Sequence, residues 1–385
     1  MFVTAGSETT KEAFDTALKA GIIGKQLSGD VLETFMLNVS RWYPSALSGY
    51  VLEGVFDHGA VHHINVGRFL NQLVDAVAEF DFFAEGPDHA TELALTKGAL
   101  EYLPSNELTV IIFKVSKSKT ADLSLRSYVF TPVIVEKLKP LEIQDLLCSL
   151  SRCENRGSFI AIRQAFHNGA VPKFSQGTLA LDTVLRNATF SSHNQGFFAA
   201  EEAFHNRAVD LFSQSELNTL LCDFVNSKNF NAYKMVGVVL SYGGVEKLTA
   251  DQLNVILFTL ADIGGESAYE TIGHAFSHGA VAKLSREHLD QLVTMLMKAR
   301  HPEALKALEA AFSHGAVEKI SDGVMDVLPV TLSAAGLPQA DSALREALRN
   351  GGAERMGRDN VPSGASAHHQ GTIGGFPDLG RGSNL

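Results

Sequence analysis

Three sets of residues in this sequence have the types and spacing to do chemistry. The first is imidazole: His58, His62 and His63 crowd into one short stretch that could begin a metal site. The second is thiol: Cys148 and Cys153 form a C-x4-C pair, and Cys222 stands apart. A structural zinc needs four such ligands, and nothing in the sequence completes either group. Three cysteines are also too few, and too odd in number, for a disulfide framework, which points to a reducing compartment. The Cys pair reads as two small buried helix residues.

The third set is basic and recurs. Lys25, Lys137, Lys173, Lys247, Lys283, Lys319 and Arg355 each stand seven residues after a large apolar anchor, with His63 in the second unit and Tyr102 and Leu211 interrupting the series. If the units stack, these side chains form a row with a spacing of roughly 10 Å, which could follow a phosphate backbone as an RNA-binding edge. The same cations could instead complement the negative C-terminus of a nearby helix, and the two uses are compatible. As an exposed edge, the slot is expected to tolerate Lys283→Ala with barely any change in melting temperature.

Nothing else supports catalysis. Gly24-Lys25-Gln26 lacks the leading glycine and the Ser/Thr of a phosphate-binding loop, and neither His-Glu-x-x-His nor Gly-x-Ser-x-Gly occurs. The expectation is a protein that is not an enzyme, with no cofactor, no metal and no small-molecule substrate.

The elements that position these residues follow from an internal repeat. Ala275-Phe-Ser-His-Gly-Ala-Val recurs at Ala311 after 36 residues, with variants at Val55, Ala165, Ala203 and Val239. The anchors are Leu18, Phe56, Leu95, Phe130, Phe166, Phe204, Leu240, Phe276, Phe312 and Leu348, between 35 and 39 residues apart. Gly21, Gly59, Gly98, Gly169, Gly243, Gly279, Gly315 and Gly351 follow as left-handed C′ residues, and Arg207 and Val133 predict two units that end their first helix differently. Ser28, Asn65, Ser175, Ser213, Thr249, Ser285 and Ser321 read as N-caps of a second helix, with Glu216 and Gln252 completing capping boxes. The slot of His58, Asn168, Asn206, Tyr242, His278, His314 and Asn350 reads as a C-terminal polar cap, which makes His58 structural.

Apolar residues between the caps keep a helical period, as in Leu289, Leu292, Val293 and Leu296, and Pro302 fits a first turn. Val110–Ser116 is the single β-looking run and reads as a buried second helix. Short links between amphipathic helices predict an all-α solenoid of about ten helix-turn-helix repeats of roughly 36 residues. It should span residues 11–352, after a flexible N-terminus (1–10) and before a disordered Gly/Ser-rich tail (353–385) too poor in apolar residues to fold.

Composition narrows the partners. A net charge of -11 excludes coating of nucleic acid or membrane by bulk attraction, but leaves room for a local basic stripe. No apolar run approaches a membrane span, so no membrane partner is expected. The N-terminal stretch lacks the marks of a secretory signal or a clear presequence.

The unit resembles the octotricopeptide and heptatricopeptide repeats and the leucine-rich region of FAST-kinase-type proteins. The matching segments are Phe174-Ser175, Phe212-Ser213-Gln214-Ser215-Glu216-Leu217 and Leu284-Ser285-Arg286-Glu287-His288-Leu289. It is also similar to the armadillo-like proteins of the kinetoplastid RNA-editing substrate-binding complex. The resemblance covers about residues 10–350 and implies binding of RNA, of protein subunits of a ribonucleoprotein complex, or of both. The implied setting is mitochondrial RNA processing, RNA editing or ribosome assembly. The alternative is a cytoplasmic armadillo- or HEAT-like protein scaffold without RNA contact.

Overall fold

A computed structural model of the chain describes residues 8–22, 26–40, 46–79, 85–117, 128–177 and 179–356. The chain is an all-α solenoid of helical hairpins, with no strand among the described residues. Its backbone contacts divide it into two compact units, Met1–Gly244 and Val245–Leu385.

In the first unit the long helices are α1 (Glu8–Lys19), α2 (Gly29–Ser40), α3 (Ala46–Asp57), α4 (Val66–Glu79), α5 (Glu85–Thr96) and α6 (Ser105–Lys117). They continue as α7 (Pro140–Ser151), α8 (Arg156–His167), α9 (Leu179–Phe190), α10 (Asn194–His205), α11 (Gln214–Asn226) and α12 (Phe230–Val239). The second unit holds α13 (Ala250–Ile263), α14 (Glu266–Ser277), α15 (Arg286–Ala299), α16 (Pro302–Ser313), α17 (Asp322–Ala335) and α18 (Pro338–Ala347). The β-looking run Val110–Ser116 lies inside α6, where Ile111, Ile112 and Val115 are buried.

First helices of neighbouring repeats pack most closely, as α8 on α10 and α14 on α16 on α18. Buried alanines at these contacts (Ala161, Ala165, Ala199, Ala203, Ala304, Ala307) let the helix backbones approach. The anchors fill the space between layers: Phe166, Phe204, Phe276 and Phe312 are each 0 % exposed. Such a burial contributes ~1.5–3 kcal/mol per ring.

The caps follow the sequence with instructive exceptions. The Ser213, Thr249 and Ser285 hydroxyls accept the N–H groups of Glu216, Gln252 and His288, the Asn65 carbonyl oxygen accepts that of Arg68, and the Ser213 and Thr249 boxes close. Ser175 lies four residues before the start of α9 at Leu179, outside the N-cap position. Ser321 makes no side-chain cap; its N–H donates to Asp290 instead. Arg207 corrects the expectation of a different helix end. It takes the left-handed conformation itself (φ 68°), as Gly279 does (φ 94°), so a side chain occupies a backbone position for which its neighbours use glycine. Val133 does mark a different turn, lying within a short helix, Pro132–Lys137, capped by Thr131.

Helix extends past the boundary expected at 352: Ala353–Arg355 form a last turn, and Met356 is 1 % exposed. The expected flexible N-terminus falls mostly, and the remainder of the expected tail wholly, outside the described residues.

Candidate nucleic-acid interface

Between the two helices of a repeat runs a short helical turn, such as Val171–Lys173, Ala280–Lys283 or Ala316–Lys319. A helix this short leaves most of its carbonyls without an intrahelical partner. The recurring cation fills that need for the preceding repeat. Lys319 Nζ donates to the carbonyls of Val281, Ala282 and Leu284 at 2.9, 2.7 and 2.8 Å, which uses all three ammonium protons. Lys283 donates to Val245 and Glu246, both at 2.7 Å. Lys173 reaches Glu136 and Leu138 at 2.9 and 2.6 Å, and Lys137 reaches Glu101 at 2.8 Å. Arg355 repeats the contact onto Val317 and Ile320, and pairs with Asp322.

Lys173, Lys247, Lys283, Lys319 and Arg355 are half-buried, Lys137 is exposed, and Lys25 lies outside the described residues. Lys283 is thus tied to the preceding turn and half-buried, where a free place on an exposed edge was expected. The slot joins consecutive repeats, because charged donors on three or fewer carbonyls are strong hydrogen bonds in a partly dry setting.

At five of its seven positions the C-terminal polar slot acts locally, whereas Asn168 donates to the Phe130 carbonyl and Tyr242 meets His205, both in the preceding repeat. His58, His278 and His314 place Nδ1 2.7, 2.7 and 2.8 Å from the carbonyls of Gly54, His274 and Ala310, four residues back. Asn206 and Asn350 donate to Glu202 and Glu346 in the same way. His62 meets Tyr102 edge-to-face at 5.1 Å. No group of three or more potential metal ligands occurs among the described residues. Burial pushes the Cys148 and Cys222 thiols up, away from thiolate chemistry.

Further exposed side chains stand on α8, α10 and α12 and in the turn after α12. The Arg163 guanidinium sits 5.7 Å from the Phe198 ring centre in the next repeat, and Lys234 Nζ sits 4.5 Å from that of Phe230. His205 and Tyr242, also in successive repeats, share a 3.0 Å hydrogen bond with their rings edge-to-face. Phe198, Phe230 and Tyr242 are 39 %, 56 % and 42 % exposed. Glu202 is the local acid, and Arg163 and His167 both pair with it, at 3.6 and 3.1 Å.

No family model and no curated protein matches the sequence. Among solved structures, a crystal structure of an engineered protein aligns over 90 % of this chain and 97 % of its own, with 13 % identity and a TM-score of 0.38. A crystal structure of PUF-8 in complex with PBE-RNA aligns over 90 % of this chain and 91 % of its own, with 11 % identity and a TM-score of 0.35.

Sequence reasoning ranked the lysine row and passed over the rings. One signal was available: Phe198 stands six residues before its anchor, the outward slot that holds Lys234, Glu270 and Lys306 in the following repeats. A phenylalanine in a slot that tolerates charge is one the core does not require.

Proposed function

We propose that this chain is a non-catalytic RNA-binding repeat protein whose single-stranded ligand crosses the exposed rings of α10, α12 and the turn after α12. The observation that carries the reading is the set of exposed rings in two successive repeats, Phe198, Phe230 and Tyr242, the first two with a cation beside them. Every base offers a π-face, so aromatic side chains stack bases without sequence preference, contributing about 1–3 kcal/mol per base, and a neighbouring cation answers the phosphate. In this reading Lys25, Lys137, Lys173, Lys247, Lys283, Lys319 and Arg355 supply positive potential along the turn edge of each unit. For Lys137, Lys173, Lys283, Lys319 and Arg355 the main hydrogen-bonding work is holding the repeats together. The setting, organellar RNA processing, editing or ribosome assembly, rests on the resemblance of the repeat, and endogenous tagging with cell fractionation tests it.

The deciding experiment is fluorescence anisotropy with a labelled single-stranded RNA of mixed sequence at two salt concentrations. The wild type is compared with Phe198→Ala/Phe230→Ala/Tyr242→Ala and with Arg163→Gln. Binding that weakens with salt and falls about tenfold or more in the triple variant supports the reading. A folded chain that binds no RNA, or whose affinity ignores the rings, overturns it and leaves a scaffold for proteins alone.

A further inference from the structure

The second helices of the second unit turn another kind of surface to solvent. On α13 the residues Asp251, Val255, Phe258 and Asp262 follow one another at intervals of four, three and four, which places them on a single face. Val255 and Phe258 are 55 % and 39 % exposed, and the side chain of Asp251 is 91 % exposed. Two repeats later, Val327 and Val330 hold the corresponding positions on α17 at 50 % and 69 % exposure, beside the exposed Asp326. Between them α15 packs against both helices and presents Gln291 and Thr294 at those positions, with Glu287 at the end of the stripe.

The polar pair on α15 shows that the repeat does not need apolar residues there. Val255, Phe258, Val327 and Val330 leave apolar area in water that the repeat does not require. The surrounding charge is one-sided. Asp251, Asp262, Glu287 and Asp326 rim the stripe, against Lys298 alone on its exposed line, since Arg286 is turned to the Lys319 carbonyl. Asp262, Glu287 and Asp326 make no ion pair with a described residue. Such a rim repels phosphate and attracts ammonium and guanidinium groups.

We infer that this face of α13, α15 and α17 docks a lysine- and arginine-rich amphipathic helix of a partner protein. Its apolar side would lie on the valine and phenylalanine anchors and its basic side against the carboxylates. Two helix-to-helix spacings of roughly 9 Å separate the outer anchors, so about twelve residues of partner helix bridge them. The inference is independent of RNA binding, which uses other helices.

The test uses the full chain and three labelled peptides of about 18 residues: a leucine-striped helix with lysines on its polar face, its scrambled sequence, and the same stripe with glutamates for lysines. The first is expected to bind with salt-weakened affinity, and the other two at least about tenfold more weakly. Val255→Ser/Val327→Ser/Val330→Ser and Asp262→Asn/Glu287→Gln/Asp326→Asn should each lower that affinity about tenfold while the folded circular-dichroism signal persists. Absence of binding by the folded wild type, equal binding of the glutamate peptide, or indifference to both variants overturns the inference. So does a concentration-dependent dimer that the valine variant abolishes, which would give the face to a second copy. Loss of RNA affinity in either variant would give it to RNA and overturn the inference as well.

Discussion

Lys319 Nζ lies 2.8 Å from the carbonyl oxygen of Leu284, in the turn of the preceding repeat. With Val281 and Ala282 also accepting from it, one side chain closes three carbonyls that their own short helix leaves open. The contact recurs at Lys173 and Lys283 and, with a guanidinium, at Arg355.

Replacing Lys319 by methionine keeps the stem and deletes the donors. We expect a loss of about 2 kcal/mol, the range for hydrogen bonds to a charged group. Lys137→Met, which removes one exposed bond, should lose well under half of that. Chemical denaturation of the two variants side by side checks the ratio, and equal effects would contradict the joining role.

Arg207→Gly should stabilise the chain by about 1 kcal/mol, because glycine takes φ 68° without a Cβ penalty. The exposed pair with Asp210 that it sacrifices is worth little. Thermal melts read the gain, and Gly279→Val should shift the melt the opposite way.

A methyl at Gly196 would stand 2.2 Å from the Ala188 carbonyl oxygen and 2.9 Å from the Ser191 Cβ. Both neighbours are fixed, so α10 would have to move away from α9. Gly196→Ala is expected to be among the most damaging single methyl additions, at about 3 kcal/mol, measured by denaturation.

The Arg355 guanidinium, by its hydrogen bond first and its charge second, holds the Asp322 carboxyl below its ordinary 3.8. A carboxyl depressed in the folded state adds stability above its unfolded pKa and loses it as pH falls through the folded value. Acid titration of unfolding should therefore show a component below about pH 3.8 that Arg355→Met removes.

Much of the architecture was legible in the residues. The repeating anchor, the glycine after it and the hydroxyl before the second helix state local requirements that any helical hairpin must meet, so they recur in register and can be read in one dimension. The polar slot of His58, His278 and His314 was legible for the same reason, since its carbonyl lies four residues back in the same helix. Arg207 was not: its left-handed backbone runs against the preference of its own residue type.

The lysine slot divides the two kinds of information most clearly. Its recurrence and its charge are in the sequence, but its acceptors are carbonyls some 35 residues earlier, brought within reach only when repeats stack. The pairing of Arg163 with Phe198, and the common stripe of Val255 and Val330 across α15, arise the same way. By itself the sequence determined which segments are helical, where most helices stop and which side faces inward, because those depend on local dihedral preference and periodic burial. Only the tertiary structure decided which outward side chains meet, because contact between repeats depends on the stacking geometry that no single repeat contains.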